Sequence, residues 1–60
     1  MNYKDQMATK LLAQTSKALG EAINESLCAN PDKRLVRALI DQAYENLREF
    51  EDVYFDDVQV

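Results

Sequence analysis

This sequence predicts an all-α chain, an antiparallel helical hairpin, on three observations. Two runs of residues with helical periodicity, similar in length, flank the stretch Asn30-Pro31-Asp32. That stretch holds the only proline, and the chain has one glycine. The remainder is rich in Ala, Leu, Glu, Lys, Gln and Arg, the better helix formers. The chain divides on this reading into a hairpin over residues 1–52 and an acidic, aromatic tail over residues 53–60.

The first helix is expected to run from about Tyr3 to Cys28. Asn2 is its candidate N-cap, with Asp5 three positions on as an imperfect capping box. At about 100° per residue, Ala8, Leu11, Leu12, Thr15, Ala18, Leu19, Ala22 and Ile23 share one face. That face has a large-residue edge (Leu12, Leu19, Ile23) and a small-residue edge (Ala8, Thr15, Ala18, Ala22). Small side chains let a neighbouring helix come close. Gly20 lies inside the run, but the apolar phase set by Leu11 and Leu12 continues through Leu19, Ala22 and Ile23. One continuous helix is therefore expected, at a cost of about 1 kcal/mol relative to Ala.

The bend is expected over residues 29–31. Asn30 is the expected cap of the second helix, Pro31 suits its first position, and Asp32 favours its positive dipole end. Proline also stops the first helix, because the residue before it avoids the α region. So short a connection makes the two helices antiparallel neighbours.

The second helix is expected from about Pro31 to Asp52. Val36, Ile40, Ala43, Leu47, Phe50 and Tyr54 recur at spacings 4-3-4-3-4, a heptad seam that Leu35, Leu39 and Val53 widen. The outer face alternates charge, Arg37 with Asp41 and Arg48 with Asp52, as solvated helix faces do.

Sixty residues make one small domain. Two helices side by side hide only the strips that face each other. Here both apolar arcs are about 140° wide, broader than a two-stranded seam needs. A lone hairpin would leave part of Leu12, Ile23, Leu35, Leu39 or Phe50 in water. Each such side chain contributes about 1.5–3 kcal/mol when buried, and so small a core supplies only about 3–5 kcal/mol net. A homodimer forming a four-helix bundle is the expected solution, or burial against another protein. Its face comprises Leu12, Leu19, Ile23, Leu35, Val36, Leu39, Ile40 and Leu47.

The composition argues against an enzyme. There is no histidine, so the usual general base near neutral pH is missing. One cysteine, Cys28, permits neither an internal disulfide nor a zinc site of the usual ligands. One glycine rules out a glycine-rich phosphate loop. No catalytic residue, metal, cofactor or small-molecule substrate is expected. The lone thiol fits a reducing compartment. The N-terminal residues lack an apolar signal region, and no apolar run is long enough to span a bilayer. A cytoplasmic protein with no membrane partner is expected.

The net charge of −4 is uneven. Residues 1–28 balance, residues 29–48 carry +1, and residues 49–60 carry −5 with no base among them. Phe50, Tyr54, Phe55, Asp56 and Asp57 are the candidate partner-binding residues in this end segment, since acids interleaved with aromatics can dock a basic, apolar groove. The function expected is a non-enzymatic protein–protein interaction module, an adaptor, chaperone-like partner or regulator. The alternative is an acidic inhibitor of phage or plasmid type that mimics nucleic-acid charge. A nucleic-acid binder using Lys33, Arg34, Arg37 and Arg48 ranks third, because Asp41, Glu51 and Asp52 interrupt that stripe and affinity for phosphates needs many cations.

Overall fold

The structure, a computed structural model, describes residues 3–55. Two helices, α1 (Tyr3–Ser26) and α2 (Lys33–Tyr54), pack against each other as an antiparallel hairpin. It measures 45 × 23 × 12 Å, two helices wide and one thick. Among the described residues each helix packs against the other and against no further element.

α1 passes through Gly20 without a break, and no described residue has a positive φ. Its end is a tightened turn. The Leu27 N–H donates to the Ile23 carbonyl at 3.1 Å, and the Cys28 N–H to that of Glu25 at 3.1 Å. Asn2, the expected cap of α1, lies outside the described residues.

The bend corrects the expected cap. Asp32, not Asn30, caps α2, and the helix begins at Lys33 rather than Pro31. Asp32 is extended at φ −82° and ψ 101°, and its carboxylate accepts from the N–H groups of Arg34 at 3.0 Å and Leu35 at 3.2 Å. The Val36 N–H donates to the Asp32 carbonyl at 3.0 Å, closing the first helical turn. The physical reason for the shift is a neighbour across the bend. The Glu25 carboxylate accepts from the Asp32 N–H at 2.9 Å, which fixes the backbone of Asp32 at the helix entrance. Pro31 then precedes the cap, where its missing N–H costs nothing.

At the other end α2 continues to Tyr54, with Phe55 as C-cap donating its N–H to the Glu51 carbonyl. Val53 and Tyr54, assigned to the tail from sequence, form the last turn of the helix. Asp56, Asp57 and residues 58–60 lie outside the described residues.

The interhelical core uses the small-residue edge. Ala8, Leu11, Thr15, Ala18 and Ala22 of α1 are buried, and so are Ala43 and Asn46 of α2. Alanine and threonine at the contact let the backbones approach closely. The Thr15 hydroxyl donates to the Leu11 carbonyl at 2.8 Å, so its burial leaves no unmet donor. Asn46 accepts from the Gln42 side chain at 3.1 Å. Val36, Leu39, Ile40, Phe50 and Val53 are half-buried around this centre.

Candidate interaction surface

The close approach of the small edge turns the large edge outward. Leu12, Leu19 and Ile23 remain 43%, 41% and 59% exposed. On α2, Leu47 is 37% and Tyr44 69% exposed. These side chains fall on one flank of the slab. A depression there is lined by Leu19, Ala22, Ile23, Ser26, Leu27, Val36 and Ile40. A second is lined by Leu19, Ile40, Ala43, Tyr44 and Leu47. Leu19 and Ile40 line both, so the two form one continuous apolar surface.

The opposite flank differs in chemistry. Gln14, Lys17, Glu21, Gln42 and Asn46 line it, with Ala18 and Leu39 at the bottom. Water satisfies such a surface. The two flanks thus differ, but not wholly: this one is polar around Lys17 and Glu21, while toward the start of α1 it carries the exposed Tyr3 and Met7, which share a depression with Gln14. Of the residues expected on the core or dimer face, Leu12, Leu19, Ile23, Ile40, Val36 and Leu47 meet on or beside the apolar flank. Leu39 lines the wet flank, and Leu35 is exposed near the start of α2.

At the free end, Phe50, Tyr54 and Phe55 form an aromatic cluster. Phe50 stacks on Tyr54 with ring centroids 5.0 Å apart, and Phe55 meets Tyr54 edge-on at 5.1 Å. The three candidate partner-binding aromatics are therefore together. Their acidic companions Asp56 and Asp57 lie outside the described residues.

Among the described residues, no group of three His, Cys, Asp or Glu is placed to hold a metal ion. Cys28 is exposed at the bend, with its thiol donating to the Asn24 carbonyl at 3.4 Å. Among the described residues no helix is long and apolar enough to cross a membrane.

Sequence reasoning missed Asn46. A polar residue seven positions after Leu39 and four before Phe50 sits on the heptad face, and that register is the signal that could have found it. Comparisons with known proteins add no relative: no family model, curated protein or solved structure matches the chain.

Proposed function

We propose that this chain is a non-enzymatic protein–protein interaction module, an adaptor, chaperone-like partner or regulator, that binds through the apolar flank of its hairpin. The observation that carries the reading is the exposure of Leu12, Leu19, Ile23, Tyr44 and Leu47 together on one flank, where Leu19 and Ile40 join two apolar depressions. A contiguous apolar patch bordered by polar residues marks an interaction site more often than it marks plain surface. Fully burying one Leu or Ile contributes about 1.5–3 kcal/mol, and a hairpin this small holds only about 3–5 kcal/mol in reserve. Covering the flank therefore changes the stability of the whole domain. The aromatic cluster of Phe50, Tyr54 and Phe55, continued by Asp56 and Asp57, is a second contact region in this reading. The absence of histidine from the sequence supports a binding role over a catalytic one. The single thiol suits a cytoplasmic setting.

The test is affinity capture with the wild-type chain, with Ile23→Glu and with a chain lacking residues 53–60. Capture lost with Ile23→Glu and retained at high salt supports apolar docking. Capture indifferent to Ile23→Glu but abolished by salt and by loss of the tail would contradict it, and would favour the acidic mimic of nucleic acid.

A further inference from the structure

Resting on the interaction-module reading, we propose that the apolar flank is a switched surface. The hairpin opens and closes about the bend over residues 27–32, and the flank exists only in the closed form. The Glu25 carboxylate is the latch that favours closure.

The flank belongs to neither helix alone. One depression joins Leu19, Ile23 and Leu27 to Val36 and Ile40 of α2. The other joins Leu19 to Ile40, Tyr44 and Leu47 of α2. Parting the helices divides both depressions and removes the surface that a partner would meet.

The polar side chains at the contact are satisfied within their own helices. The Thr15 hydroxyl donates to the Leu11 carbonyl and the Ser26 hydroxyl to that of Ala22, both in α1. Asn46 accepts from Gln42, both in α2. Among the described residues, Lys4 and Asp5 at the start of α1 left aside, no hydrogen bond or ion pair runs from one helix to the other. Thr15, Ser26 and Asn46 therefore keep these partners when the helices separate, and opening avoids the penalty of an unmet polar group there.

What holds the contact is apolar and small. Its buried apolar residues are Ala8, Ala18, Ala22 and Ala43 beside Leu11, and no large side chain among the described residues is fully buried. The hydrophobic gain scales with buried area, and alanine offers little of it. The helices themselves are long enough to persist apart. At 24 and 22 residues they exceed the length of about 12–15 below which isolated helices are marginal.

The tie between the two lies at the bend. Glu25, half-buried near the end of α1, accepts from the Asp32 N–H at 2.9 Å. That bond sets the direction in which α2 leaves the bend, so it acts on the angle between the helices. The bonds from Asp32 to the Arg34 and Leu35 N–H groups lie at the start of α2 and do not depend on that angle.

Double electron–electron resonance on the full chain tests the proposal, with spin labels on Thr9→Cys and Glu49→Cys in a Cys28→Ser background. Both positions are exposed, and each lies about 25 Å from the bend along its helix. The closed hairpin gives one short distance, and the open form adds a longer one, out to about 50 Å between the helix positions. Glu25→Ala should raise the ratio of long to short about fivefold. Glu25→Gln, whose side-chain carbonyl still accepts, should stay within about twofold of wild type. Circular dichroism should show equal helicity in all three. Capture of a partner through the flank should weaken in Glu25→Ala in proportion to the closed fraction. A single short distance in every chain, a Gln variant that opens as Ala does, or a long component that grows only as helicity is lost would each overturn the proposal. A single short distance with capture that depends on Ile23 overturns the hinge and leaves the interaction-module reading standing. A hinge that opens as described, with capture indifferent to both Ile23→Glu and Glu25→Ala, overturns the flank as the switched surface and that reading with it.

Discussion

The Glu25 carboxylate accepts a hydrogen bond from the backbone N–H of Asp32 at 2.9 Å, tying the last turn of α1 to the cap of α2. The bend is therefore held by two acids in series. Glu25 positions Asp32, and Asp32 caps Arg34 and Leu35. Asp32→Ala should cost about 1 kcal/mol, the usual loss for an N-cap. In a domain this small that lowers the melting temperature by about 4–8 °C. Asn30→Ala should stay within about 0.5 kcal/mol, as surface changes do. Thermal melts of the two variants decide the point. A larger loss for Asn30→Ala would return the cap to that residue.

Gly20 sits in regular helix, and a Cβ added there would meet nothing within 4 Å. Gly20→Ala should stabilise the hairpin by up to about 1 kcal/mol, through helix propensity and the entropy of the unfolded chain. Urea denaturation of the wild-type and variant chains at equal concentration measures it. A loss of stability would mean that α1 breaks at this position.

Ala22 is buried between the helices, whereas Ala13 is exposed. Ala22→Leu should overpack the contact and cost about 1–3 kcal/mol, while Ala13→Leu should be close to neutral. Equal effects in chemical denaturation would show that the helices are not held at close range by the small edge.

Much of this was legible in the sequence. Periodicity located both helices, and Pro31 located the bend. The phase running from Leu11 through Ile23 showed that Gly20 does not interrupt α1. Two features were not legible. Asn30 and Asp32 are equally good caps by type. The choice between them rests on Glu25, whose place beside the bend is a tertiary fact. The broad apolar arc of α1 also did not say which edge would face α2. Alanine and threonine lie there with Leu11 because close helix contact favours small side chains, and that leaves Leu12, Leu19 and Ile23 outside. Asn46 escaped because apolar patterning does not register a polar side chain that Gln42 satisfies within the same helix.

The tail prediction rests on the charge partition, since nothing in folding a hairpin requires the excess acid at one end. Asp56→Asn combined with Asp57→Asn should weaken partner binding without changing the circular dichroism spectrum. Titration of the bound partner by isothermal calorimetry would show it. Unchanged affinity would make these acids a solvating terminus only.

The central claim is that the apolar flank is covered when the protein works. Placing a photo-cross-linking side chain at Leu19, and in a separate chain at Lys17 among the polar side chains of the other flank, tests it in the source cell. The account predicts a discrete adduct from position 19 and none from position 17. Equal labelling from both positions, or no adduct from position 19, would contradict it.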